Sequence, residues 1–108
     1  MTTSSSEQAV IVYLDGSSLP KETYEECDLS ILQDQLIDVI EANSLGEFDG
    51  NEFGPEGTRL YMYGPDAEAL FAGIEPVLLA VPLCAGAVVV IRHGTPGAHE
   101  RHIILPMG

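Results

Sequence analysis

The chain has few basic residues: four lysines and arginines among 108 residues stand against seventeen aspartates and glutamates. The formal net charge of −13 repels phosphate backbones and anionic membrane surfaces, so we expect no nucleic acid and no membrane as partners. The chain also lacks an uncharged apolar run of about 18 residues, the length that crosses a bilayer. Pro82 and Gly86 divide its most apolar stretch, residues 76–91.

The sequence contains no nucleophile elbow, no phosphate-binding glycine loop and no zinc-type cysteine spacing. Seventeen carboxylates do not by themselves make an acid/base pair, because that chemistry needs a perturbed pKa in a cleft. We therefore predict no catalytic residue and no cofactor, and a binding protein rather than an enzyme.

Cysteine is scarce as well, since Cys27 and Cys84 are the only two. We interpret both as reduced structural residues among apolar neighbours, with a disulfide between them as the alternative. The beginning of the chain, MTTSSSEQ, has neither the basic nor the apolar region of a secretory signal. We predict a disordered tail at 1–8, a single domain at 9–108 and a cytoplasmic location.

Apolar residues make up 45% of the chain and charged residues 19%, which is typical of a compact globular domain. Period-two and period-3.6 patterns, punctuated by Gly and Pro, predict five strands and two helices. The predicted strands are 9–14, 46–53, 58–63, 87–93 and 99–105. The predicted helices follow Asp28 and Pro65, and the polar segment 15–28 is long enough to be a functional loop.

The order strand, helix, strand, strand, helix, strand resembles the ferredoxin-like α/β plait over residues 9–93, with an additional C-terminal strand. The resemblance implies an α+β fold: an antiparallel sheet with two helices on one face. The stretch FDGNEFG followed by LYMYGPDAE is also similar to small bacterial proteins of this plan. Neither resemblance implies an activity, because this scaffold serves many functions.

Tyrosines mark the predicted sheet face that the helices leave uncovered. Tyr61 and Tyr63 are two residues apart and share one face of a strand, and Tyr13 lies on the first strand. We predict that these three rings form a binding face that packs against a second copy or another protein. A merely amphipathic exposed sheet is the alternative, and the negative charge argues against base stacking on RNA.

Acidic residues concentrate in the span 15–56, where Lys21 is the only base. A surface of this kind can meet a basic protein partner or can simply be solvated. The residues of this candidate acidic surface are Asp34, Asp38, Glu41, Glu47, Asp49 and Glu52.

All three histidines, His93, His99 and His102, lie in the predicted terminal hairpin. His99 and His102 are an odd number of residues apart and so point to opposite faces of a strand. His93 and His99 remain a natural pair and are the weak metal candidates, with an ordinary surface pair as the alternative.

These observations favour a small acidic protein-interaction module, of the inhibitor or immunity type, that forms a homodimer. The alternative is a small-molecule binding protein or enzyme. Its pocket would lie between the sheet face and the 15–28 loop, lined by the three tyrosines and the hairpin histidines.

Overall fold

The computed structural model describes residues 8–15, 29–54, 57–81, 84–94 and 98–106. These residues form five strands and two helices: β1 (Gln8–Asp15), α1 (Leu29–Ala42), β2 (Glu47–Gly54), β3 (Gly57–Gly64), α2 (Ala67–Ala80), β4 (Val88–Arg92) and β5 (Glu100–Ile104). The boundaries lie close to the predicted ones because turn residues flank the elements, most of which also contain an apolar run or stripe.

The strands form one antiparallel sheet in the order β2-β3-β1-β4-β5. β1 lies at the centre between β3 and β4, the arrangement of a ferredoxin-like plait, and β5 extends the sheet beyond β4. The predicted fold class is therefore confirmed, including the additional C-terminal strand.

The main core lies between the two helices and one face of the sheet. Alternate strand residues point toward the helices, as the period of two requires. The largest fully buried members on the strands are Val10, Val12, Leu60, Met62, Val89 and Ile91. Those on the helices are Leu32, Leu36, Ile40, Leu70, Ile74 and Leu78. Burial of one such side chain contributes about 1.5–3 kcal/mol, so this layer dominates the stability of the fold.

Helix α1 ends at a left-handed residue that is not a glycine. The sequence favours Asn43 or Gly46 for this conformation, but Ser44 adopts it, with φ of 53°. The Ser44 amide donates to the Glu41 carbonyl at 3.3 Å, and the Leu45 amide donates to the Ile40 carbonyl at 3.0 Å. These two bonds satisfy carbonyls at the end of the helix, as in a Schellman motif.

Helix α2 begins at a double cap. The Asp66 carboxylate accepts hydrogen bonds from the amides of Glu68 and Ala69 at 3.1 and 3.2 Å, while Gln8 Oε1 accepts from the Ala67 amide at 2.8 Å. The helix continues through Pro76. Proline has no amide hydrogen, so the Ala72 carbonyl loses its usual helical donor. Both residues are exposed. Neither described helix is long and apolar enough to cross a membrane.

Several sequence predictions concern residues beyond the described ranges. Cys84 is buried in the core, whereas Cys27 lies outside the described residues, so the question of their pairing stays open. The predicted tail is also outside them, apart from Gln8, which belongs to β1.

Candidate functional site

The face of the sheet opposite the helices carries three rows of side chains, set by the strand register. The first row is Glu47, Tyr63, Ala9, Arg92 and Glu100. The second row is Gly50, Tyr61, Ile11, Val90 and His102. The third row is Glu52, Arg59, Tyr13, Val88 and Ile104. We call these fifteen positions the tyrosine face.

The centre of the tyrosine face is a small apolar cluster separate from the main core. Ala9, Ile11 and Val90 are buried there, and the three tyrosines and Val88 pack around them half-buried. No residue of the described helices belongs to this cluster. The structure thus brings Tyr13, Tyr61 and Tyr63 together on the sheet face opposite the two described helices, while their role in binding stays a prediction.

A polar network joins Tyr61 and Tyr13 to one end of β2. Tyr61 Oη donates to Glu52 Oε1 at 3.0 Å, and Arg59 Nη1 donates to the same oxygen at 3.3 Å. The Arg59 guanidinium also lies 5.3 Å from the centre of the Tyr13 ring, within the range of a cation–π contact. Partial burial, assisted by the bond to Glu52, raises the pKa of the Tyr61 phenol, which keeps it protonated as a donor.

The role of Arg59 in this network was missed by the sequence analysis. Its position two residues before Tyr61 places it on the same face by the period of two, which was the available signal.

Charges on the tyrosine face nearly balance, in contrast to the rest of the molecule. Among the described side chains, the face carries three carboxylates and two guanidinium groups, those of Arg59 and Arg92. The two helices and the cap of α2 instead carry only acids and no lysine or arginine; these acids are Asp34, Asp38, Glu41, Asp66, Glu68 and Glu75. The excess negative charge of the described part therefore lies mainly on the helical side.

The six residues of the candidate acidic surface do not share one face. Asp34, Asp38 and Glu41 are exposed on α1. Glu47 and Glu52 lie on the tyrosine face, and Glu52 is engaged by Arg59 and Tyr61. A register irregularity in β2 at Asp49 separates the two halves of that strand, and sequence patterning did not indicate it. A basic protein as partner stays a prediction.

A second polar cluster joins the beginning of α2 to the last two strands. Arg101 Nε donates to Glu68 Oε2 at 3.1 Å, Arg101 Nη2 donates to Glu68 Oε1, and His93 Nε2 lies 2.8 Å from Glu68 Oε2. The bonds from Arg101 and then from His93 hold the pKa of Glu68 at about 2, against an ordinary value of 4.5. The cluster thus ties α2, β4 and β5 together, and the sequence analysis did not foresee Glu68 or Arg101 in it.

His93 and His99, the weak metal candidates, stack on each other with ring centres 5.6 Å apart and planes inclined by 10°. Stacked imidazoles present ring faces to each other rather than converging nitrogens, and His93 Nε2 already contacts Glu68. Within the described ranges, no group of three or more His, Cys, Asp or Glu residues is arranged to hold a metal ion. His102 lies on the tyrosine face, where its Nε2 is 3.3 Å from Glu100 Oε1.

The predicted pocket between the sheet face and the 15–28 loop depends on residues 16–28, which lie outside the described residues, and it stays a prediction. Comparisons with known proteins do not bear on the choice of site: no family model matches the chain, and the searches of curated proteins and of solved structures returned no match. A function for this chain therefore has to be inferred from the arrangement of its own side chains.

Proposed function

We propose that this protein is a protein-binding module and that the tyrosine face is its contact surface. One observation carries the proposal: a sheet face without described helices has an apolar centre, three half-buried tyrosines and nearly balanced charge, in a chain of net charge −13. Interface centres are depleted in charge and enriched in tyrosine, whose ring covers apolar area while its hydroxyl group bonds at the edge.

The polar network supports this proposal because it restrains the side chains before any partner arrives. Tyr61 is held by Glu52, and Arg59 is held by both Glu52 and the Tyr13 ring. Side chains restrained in the free protein lose less conformational entropy on association. We expect this binding activity in the cytoplasm, on the sequence argument alone.

A photo-crosslinking residue placed at position 61 tests the proposal. Benzoylphenylalanine replaces Tyr61 in one variant and Gln35, exposed on α1, in a matched control, each produced in the cells that naturally make the protein. We expect protein adducts of discrete mass from position 61 and none of the same mass from position 35. The absence of adducts at 61, or an identical set from both positions, would overturn the proposal.

A further inference from the structure

We infer that the occupant of the tyrosine face is a second copy of this chain; this inference rests on the proposed function and names the partner. The first support is the charge pattern. In a two-fold dimer each patch meets itself, so a charged self-associating face avoids repulsion only when it carries both signs of charge. The tyrosine face carries Glu47, Glu52 and Glu100 together with Arg59 and Arg92, whereas a strongly basic partner would leave both guanidinium groups facing positive charge.

Ile104 gives the second support. It is 74% exposed, the highest value among the exposed large apolar residues of the described part. The register places it directly beside Val88, so it extends the apolar area of the tyrosine face onto β5. An exposed isoleucine that continues an apolar row indicates a contact made outside the monomer.

The size of the face fits such a contact. Five strands spaced about 4.8 Å apart span roughly 24 Å, and five residues along a strand span roughly 17 Å. The flat area of the face is therefore roughly 400 Å², without the additional accessible surface of protruding side chains. A standard interface buries about 800 Å² of accessible surface per partner. A sheet-on-sheet dimer would therefore have an interface at the small end of the range of specific contacts.

Whole-molecule charge gives this dimer a characteristic salt dependence. Two copies of net charge −13 repel each other at long range, while their contact faces carry little net charge. Added salt screens the repulsion, because the Debye length falls from about 30 Å at 0.01 M to about 10 Å at 0.1 M. Dimerisation should therefore strengthen with salt, whereas association with a basic partner should weaken.

Sedimentation equilibrium of the purified full chain measures the dimer directly, at concentrations up to about 100 μM. We expect a mass of twice the 11.6 kDa chain and tighter association at about 0.1 M than at about 0.01 M salt. Ile104→Asp should weaken the dimer at least about tenfold, because it buries an unpaired charge. Ile31→Asp, at a 57% exposed position on α1, is the matched control and should change the dissociation constant less than about twofold.

Both substituted positions are exposed, so the monomer should fold in each variant, and circular dichroism checks this. A chain that is monomeric at every concentration and salt level, or a dimer broken by Ile31→Asp but not by Ile104→Asp, would overturn the inference. If the purified chain is monomeric while position 61 still crosslinks to a different protein in cells, the proposed function survives and the second copy is excluded.

Discussion

At the scale of single residues, Ser44 is the clearest departure from low-energy backbone geometry. Its φ of 53° places a residue with a Cβ in the left-handed region, which costs about 1 kcal/mol or more without glycine. Ser44→Gly should therefore stabilise the protein by about 0.5–1 kcal/mol after the larger chain entropy of glycine is deducted. Urea unfolding measures the change.

Asn43→Gly is the control for that prediction. Asn43 does not have a positive φ, and its Nδ2 donates to the Val39 carbonyl at 2.9 Å. This change should lower the free energy of unfolding. Equal losses in the two variants would show that the left-handed conformation of Ser44 carries no strain.

The lowered pKa of Glu68 predicts how the free energy of unfolding depends on pH. Its folded pKa of about 2 lies below the ordinary 4.5, so its ion pair stabilises the protein fully above pH 4.5 and is lost as the pH falls through about 2. Because its side chain is 42% exposed, solvent screening limits the contribution to about 1 kcal/mol. A double-mutant cycle of Glu68→Gln and Arg101→Met, by urea unfolding, should show coupling at pH 5 that shrinks toward pH 2.

Coupling that stays constant between pH 5 and pH 2 would contradict this account of Glu68.

The contacts of Glu68 could not be predicted from the sequence. Glu68 is 25 residues from His93 and 33 from Arg101, and it reaches both only because α2 begins beside the adjoining ends of β4 and β5. No local spacing in the sequence indicates that Glu68 contacts His93 and Arg101.

At the scale of elements, the connection from α1 to β2 depends on a close approach of two backbones. Gly46 has φ of 143°, and a Cβ there would lie 2.0 Å from the Tyr63 carbonyl oxygen. Gly50 has a similar φ of 151°, but a Cβ at that position would have no neighbouring atom within 4 Å. The two glycines therefore share a backbone conformation that would strain any residue with a Cβ, and they differ in packing.

Alanine at each of these glycines separates the two effects. Gly46→Ala should cost at least about 2 kcal/mol more than Gly50→Ala, because backbone atoms cannot move aside as a flexible side chain can. Thermal and urea unfolding of both variants measure the difference. Similar losses would mean that the close approach at Tyr63 adds nothing beyond the strain from φ.

Most of the described elements could be predicted because they combine an apolar pattern with a terminal signal, whereas β2 was predicted from the glycine- and proline-containing turn that follows it. Asp66, which follows Gly64 and Pro65, caps α2 as its residue type suggests. The irregularity in β2 could not be predicted in this way. Asp49 and Gly50 read as ordinary turn-forming residues, and only pairing with β3 shows the shift between Phe48 and Gly50.

At the scale of the whole molecule, the distribution of charge distinguishes the tyrosine face from the acidic helical side. The predicted order of elements places both helices on one face of the sheet, and this was enough to predict that the three tyrosines lie on the opposite face. The period of two also places Arg59 on that face. Sequence patterning could not add Arg92 to the same face, so the charge balance appears only once β3, β1 and β4 are known to be neighbours.

The most direct test of the central claim is an isotope-filtered nuclear Overhauser experiment on an equimolar mixture of labelled and unlabelled chains. If the tyrosine face joins two copies, contacts between chains should connect the rings of Tyr13, Tyr61 or Tyr63 with the methyl groups of Val88 or Ile104. Contacts between chains that involve only helical methyl groups, such as those of Ile31 and Leu79, would contradict the claim, and so would their complete absence at about 1 mM protein.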